Sequence, residues 1–144
     1  MRKVIFFTVI MFFIIIAATV YAKKQQTYGN LVCKFIKNYD GDTLTVNIPS
    51  VHPVIGKKIS VRINGIDTPE LKGTTGRVKE KARIAKKLVT NLCKRAKILE
   101  LRNIKRGKYF RIVADVYVDG QCLADILIKN GLAKPYDGGK KPQW

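Results

Sequence analysis

Residues 40–70 read DGDTLTVNIPSVHPVIGKKISVRINGIDTPE. Two runs in this stretch alternate apolar and polar residues. Leu44, Val46 and Ile48 alternate with Thr43, Thr45 and Asn47, and Ile59, Val61 and Ile63 alternate with Ser60, Arg62 and Asn64. A period of two marks a strand with one face on a core and the other toward water. Pro49 to Gly56 holds two prolines and a glycine and reads as the loop between them. Paired as a hairpin, these strands bring Asp42, which starts one, and Asp67, which ends the other, to the same end of the sheet. Asp42 shares pleat parity with Leu44, and Asp67 shares it with Ile63, so both carboxylates face the same side.

Outward from this hairpin the pattern stays regular. Leu31 to Lys37 reads as an earlier strand, and Asn38-Tyr39-Asp40-Gly41 as a turn. Pro69 ends the third strand, and Lys72 to Gly76 is a loop. From Val78 the period lengthens: Val78, Ala82, Ala85, Val89, Leu92 and Ala96 recur at three- and four-residue steps. This predicts an amphipathic helix whose outer face carries Lys79, Arg83, Lys86, Lys87 and Lys94. Strands are expected at Ile98–Asn103 and Tyr109–Val118, joined by a turn at Lys105-Arg106-Gly107. A shorter helix is expected from Cys122 to Asn130, stopped by Gly131. Three strands, a helix, two strands and a helix describe an α+β domain around a small closed or partly open five-stranded barrel, with two or three helices.

The organisation expected is one domain over residues 30–136, a flexible lead-in over 23–29 and a basic tail over 137–144. The segment from Lys134 to Trp144, rich in Pro, Gly and Lys, is expected to lie loosely on the surface. Residues 1–22 stand apart. Arg2 and Lys3 precede an apolar run from Val4 to Val20, and Val20-Tyr21-Ala22 has small residues where a signal peptidase cuts. The segment reads as a cleaved signal peptide or, if retained, a membrane anchor. Either reading exports the domain, as a secreted or periplasmic protein or one anchored at the membrane.

The 144 residues include 28 Lys and Arg against 10 Asp and Glu, a formal net charge of +18. Such an excess does not stabilise a fold; it points to a polyanionic partner such as nucleic acid or an anionic membrane. Cys33, Cys93 and Cys122 match no zinc spacing and read as small buried residues, with one disulfide possible. His52 is the sole histidine and falls in a loop, a poor place for a catalytic base.

Against this cationic background, Asp40, Asp42, Asp67 and Glu70 are four of the ten acids, gathered at one strand end. Adjacent carboxylates resist joint ionisation, and a divalent cation removes the conflict. Oxygen donors without His or Cys favour calcium or magnesium. Glu70, three residues past Asp67, is placed to add a water-mediated ligand or a base. Arginines supply the fork that holds phosphate oxygens. Arg62 lies on the strand leading to Asp67, although simple alternation sends the two to opposite faces; a bulge at Gly65 would re-aim the chain. Arg111 is expected on the fifth strand with Tyr109, opposite Phe110, Ile112 and Ala114.

Three pieces in order — Asp40-Gly41-Asp42-Thr43, then Arg62 through Glu70, then Lys108-Tyr109-Phe110-Arg111 — resemble the staphylococcal nuclease family, as does Asn130-Gly131-Leu132-Ala133-Lys134. The likeness covers about residues 30 to 136. It implies an OB-fold barrel and a calcium-dependent thermonuclease-like endonuclease cutting DNA and RNA to leave 3′-phosphate ends. It further implies Asp42, Asp67 and the Thr68 carbonyl as calcium ligands, Glu70 as general base, and Arg62 and Arg111 as phosphate and transition-state ligands. Lys108 and Tyr109 would contact a neighbouring phosphate, and Tyr136 would stack on a base. The expected assembly is a monomer. Phe110 departs from the glycine common at that position, the 49–56 loop is longer than usual, and the cysteines lie outside the pattern.

Two other readings compete. A nucleic-acid-binding OB module that does not cut would account for the charge but not for the acid and arginine set. A cationic membrane-surface protein would need bulkier apolar anchors than the Val, Leu and Ala of the long helix.

Overall fold

The computed structural model describes residues 27–144. The expected signal or anchor segment and most of the lead-in lie outside the described residues. The chain forms strand β1 (Leu31–Asn38), strand β2 (Thr43–Asn47), a short helix α1 (Pro53–Gly56), strand β3 (Ile59–Ile63) and a two-residue strand β4 (Ile66–Asp67). A twenty-residue helix α2 (Gly76–Arg95) follows, then strands β5 (Leu99–Arg106), β6 (Ile112–Val118) and β7 (Gln121–Cys122). Helix α3 (Leu123–Lys129) and strand β8 (Lys134–Pro135) complete the order.

The two alternating runs pair as expected. β2 and β3 are antiparallel, with Thr43 opposite Arg62 and Val46 opposite Ile59. β1 continues the sheet beside β2 and pairs on its other side with β5, which pairs with β6. A parallel pairing of β6 with β3, Val61 opposite Ile112 and Ile63 opposite Ala114, closes five strands into a barrel. Closure removes the free edges of the sheet. The fold is the α+β OB-type barrel the sequence predicts, with three helices among the described residues.

Leu44, Val46, Val61, Ile63, Leu101 and Val116 fill the interior. Helix α2 lays Ala82, Ala85, Val89 and Cys93 against it. The small side chains at 82 and 85 let the helix approach closely. Gly41 shows how closely: a Cβ there would come within 2.9 Å of Ala85 Cβ and of two side-chain atoms of Thr68. Buried Asn38 ties the same turn to the helix. Its amide donates to the carbonyls of Asp40 at 2.8 Å and Lys86 at 3.0 Å, and its oxygen accepts from the Thr90 hydroxyl at 2.6 Å.

Several expectations are corrected. The 49–56 loop contains α1, capped by His52, whose Nδ1 accepts from the Val54 amide. β5 runs on to Arg106 and β6 starts at Ile112, so the turn covers 107–111 and not 105–107. Lys108, Tyr109, Phe110 and Arg111 are therefore loop residues, and Tyr109 and Phe110 both sit at a φ of 56°. That left-handed conformation ends the ladder. Asp67 belongs to a separate strand, β4, paired with β8. The segment after β8 is not loose on the surface, as described below. All three cysteines are free thiols, and burial pushes Cys33 and Cys93 up to about 12, far from nucleophilic use. No described helix is long and apolar enough to cross a membrane.

Candidate active site

The end of the barrel where β2 begins and β4 ends holds two carboxylates buried almost completely, Asp42 and Asp67, each 2 % exposed. Sheet register explains the first contact. Arg62 stands opposite Thr43, the neighbour of Asp42, and its Nη1 donates to Asp42 Oδ1 at 2.7 Å. Chain direction explains the second. Gly65, at a φ of 76°, turns the backbone between β3 and β4, so parity counted through 62–67 no longer applies. Arg62 Nη2 then donates to Asp67 Oδ1 at 3.2 Å and to the Ile66 carbonyl at 3.3 Å. The turn does what the expected bulge would have done, and one guanidinium spans both acids.

Asp42 is held on every side. Its Oδ1 also accepts from the Thr43 hydroxyl at 3.0 Å. Its Oδ2 accepts from the Thr68 amide at 3.0 Å and the Thr68 hydroxyl at 3.2 Å. Despite this company, burial, followed by the nearby charge of Asp40, pushes its carboxyl up to about 6. Among the described residues no three side chains of His, Cys, Asp and Glu form a metal-holding group. The available donors are two buried carboxylates and backbone oxygen, with no nitrogen or sulfur ligand. That chemistry suits a hard divalent cation, and the raised Asp42 carboxyl is what burial of a carboxylate, with Asp40 nearby, produces. A cation shared by both acids requires Arg62 or the Thr43 hydroxyl to yield a lone pair on Asp42.

In front of these acids lies an open cleft of about 620 Å³. Arg62, Glu70, Lys108, Arg111, Tyr136 and Lys141 line it, with Tyr39 and Asp40 at its rim. Arg111 reaches it from the 107–111 loop, with its Nε buried and without a hydrogen-bond partner. The Tyr136 backbone amide donates a hydrogen bond to the Gly65 carbonyl at 2.9 Å, and Arg62 lies 5.9 Å from the Tyr136 ring centre. Glu70 is exposed and paired with Lys141, whose hydrogen bond and charge hold the Glu70 carboxyl below its usual range. The structure thus brings Arg62, Glu70, Lys108, Arg111 and Tyr136 to one cleft. Asp42, Asp67 and Thr68 do not line it; they are buried, and the two acids meet the cleft through Arg62. The structure does not bring Tyr109, which is 94 % exposed and does not line the cleft.

Two residues at this site escaped the sequence reading. Lys141 pairs with Glu70 and lies 3.9 Å from Asp67 Oδ1, and the Trp144 indole donates to Asp67 Oδ2 at 3.0 Å. The one available signal was compositional: Trp144 is the sole tryptophan of the chain.

Comparison with known proteins adds a family. The model for "Staphylococcal nuclease homologue" matches residues 60–143. Endonuclease YncB of Bacillus subtilis is 35 % identical over 120 residues, which cover 82 % of this chain and 53 % of that protein. The SPbeta prophage-derived endonuclease YokF of the same organism is 37 % identical over 97 residues, 66 % of this chain and 31 % of YokF. The staphylococcal-like nuclease CAN1 of Arabidopsis thaliana is 34 % identical over 83 residues, 58 % of this chain and 24 % of CAN1. The chain thus spans about half or less of the length of these relatives. The matched region includes Arg62, Asp67, Glu70 and Arg111, and the chain belongs to the staphylococcal nuclease homologue family.

Proposed function

We propose that this chain is a calcium-dependent nuclease that hydrolyses phosphodiester bonds of DNA and RNA with little sequence preference and leaves 3′-phosphate ends. The observation that carries the reading is Arg62, which bridges two buried aspartates and lines a cleft that Arg111 also lines. The family match and the relatives' names support phosphodiester chemistry.

The charge of +18 draws in a polyanion by a salt-sensitive attraction blind to sequence. Arg62, Arg111 and Lys108 receive the phosphate oxygens, and the guanidinium forks match the charge that spreads over them as phosphorus becomes five-coordinate. Asp42, Asp67 and the Thr68 carbonyl would hold calcium, which supplies Lewis-acid stabilisation of that same charge. Glu70, ionised beside Lys141, accepts a hydrogen bond from the attacking water. Its lowered carboxyl suits orienting the water more than fully removing its proton. Water adds to phosphorus and the bond to the 5′ oxygen breaks; the proton the water loses passes to solvent, the 5′ oxygen takes one from solvent and leaves as a hydroxyl, and the phosphate stays on the 3′ oxygen. Tyr136 offers a face for a neighbouring base, which favours single strands. We read residues 1–22 as the export signal or anchor and the protein as a secreted or membrane-tethered monomer.

The test is incubation of plasmid DNA and of RNA with calcium, with magnesium or with chelator, followed by end-group analysis. Calcium-stimulated cleavage with 3′-phosphate products is expected. Binding of both polymers without cleavage in any of these buffers would replace the enzyme by a nucleic-acid-binding module.

A further inference from the structure

The segment after β8 folds back over the acid pair. β8 sets Lys134 opposite Asp67. The chain then turns through 136–139, where Gly138 has a φ of 100°, the Tyr136 hydroxyl donates to the Gly139 carbonyl and Asp137 accepts from the Gly139 amide. The return places Trp144 on Asp67, a residue 77 positions away in sequence. The indole ring is flanked by two ammonium groups, Lys134 at 4.8 Å and Lys81 of α2 at 5.6 Å from its centre. Lys134 also donates to the carbonyl of Gln143. Trp144 is thus held from β8 and from the long helix at once.

The two oxygens of Asp67 are divided between different donors. Oδ1 accepts from Arg62, at the cleft floor, and Oδ2 accepts from the Trp144 indole. Donors on both oxygens fix the plane of the carboxylate. An indole is donor only and carries no charge, so it fixes the group without neutralising it. A lysine or arginine in that place would add a further positive charge to those of Arg62 and Lys141 beside Asp67; the tryptophan adds none.

We propose that Trp144 is a positioning residue that orients the Asp67 carboxylate for a divalent cation, so that segment 136–144 is a built part of the site. The inference rests on the calcium reading given above. Donors behind a metal-binding carboxylate commonly change affinity or activity by about 10- to 100-fold when removed. Trp144→Phe keeps an aromatic ring against Lys134 and Lys81 and deletes only the N–H.

The experiment is calorimetric titration of calcium into the full chain and into Trp144→Phe, with melting temperatures of both. In parallel, the single indole N–H resonance of the ¹⁵N-labelled wild type is followed during the same titration. The expected result is calcium affinity reduced about 10- to 100-fold in Trp144→Phe with the melting temperature of the metal-free chain retained. The wild-type indole resonance should shift with the calorimetric midpoint. Equal calcium affinity in the two proteins would overturn the role of Trp144 and leave the calcium reading standing. Tighter binding by Trp144→Phe would also overturn it and make the segment a competitor of the ion. No calcium binding by the wild type would overturn both.

Discussion

The two arginines of the cleft are held in opposite ways. Arg62 sits on a strand, in register beside Asp42, with both terminal nitrogens engaged by buried carboxylates. Arg111 sits in a loop whose preceding residues, Tyr109 and Phe110, have left-handed backbones, and its Nε is buried with no partner. Identical side chains therefore carry different burdens. Arg62 neutralises charge that the fold has already buried, whereas Arg111 holds a donor that the folded chain leaves unsatisfied. An unpaired buried donor is costly unless a ligand completes it. One arginine belongs to the stability of the barrel mouth as much as to its chemistry; the other lines the cleft and forms no salt bridge among the described residues.

Substitution should separate them. Arg62→Ala leaves two buried carboxylates facing each other, and removing one partner of a buried pair costs about 3–5 kcal/mol. Its unfolding midpoint in denaturant should fall sharply, and cleavage should fall at least about a hundredfold. Arg111→Ala should lose about a hundredfold in cleavage rate without lowering the unfolding midpoint, since it also removes an unpaired buried donor. Equal losses of stability in the two variants would erase the distinction.

Next in size is Gly41→Ala. The added Cβ meets Ala85 and Thr68 at 2.9 Å, and Thr68 is the residue that clasps Asp42. Overpacking of this kind costs about 1–3 kcal/mol. Denaturant unfolding would detect it, and an unchanged midpoint would show that the turn is looser than the contact implies.

Acidity offers a third way in. The folded Asp42 carboxyl lies at about 6, above its ordinary 3.8, so the folded chain binds this proton more tightly than the unfolded one. Protonation therefore stabilises the fold fully below the unfolded value, and that benefit is lost as pH rises through about 6. A cation that needs the ionised carboxylate competes with the proton. Calcium affinity should fall by up to about tenfold per pH unit below that value and level off above it. Calorimetry between pH 5 and 8 measures the profile; a flat one would remove Asp42 from the cation site.

The smallest effect expected is that of Tyr109→Ala. With its side chain in solvent outside the cleft, its loss should change kcat/KM by no more than about threefold, below the 1–3 kcal/mol of a stacked base. A tenfold loss would mean that the 107–111 loop swings toward substrate.

What the sequence could and could not disclose follows from the range of the interactions. The β2–β3 hairpin and helix α2 were readable because each buries one face, and burial writes a period of two or 3.6 into neighbouring residues. Asp42 was readable because it directly precedes β2, and Asp67 because it follows β3 by four residues, although it belongs to β4. The contact of Arg62 with Asp67 was harder, since the Gly65 turn resets the parity that local counting depends on. Residues 109–111 read as strand because Tyr109, Phe110 and Ile112 are strong strand formers, while the backbone at 109 and 110 takes a φ that no propensity reports. Trp144 and Lys141 follow a strand of two residues, with no repeating pattern, and act on residues 77 and 71 positions away. Nothing local could have linked them to the acids.

The central claim is that the two barrel-mouth aspartates hold a cation that phosphodiester cleavage requires. It is tested most directly by measuring plasmid and RNA cleavage as free calcium is raised in buffered steps, for the wild type and for Asp67→Asn. The account predicts saturable calcium activation of the wild type and at least about a hundredfold less cleavage by the variant at every calcium level. Cleavage by the wild type that persists undiminished in chelator, or an Asp67→Asn variant as active as the wild type, would contradict it.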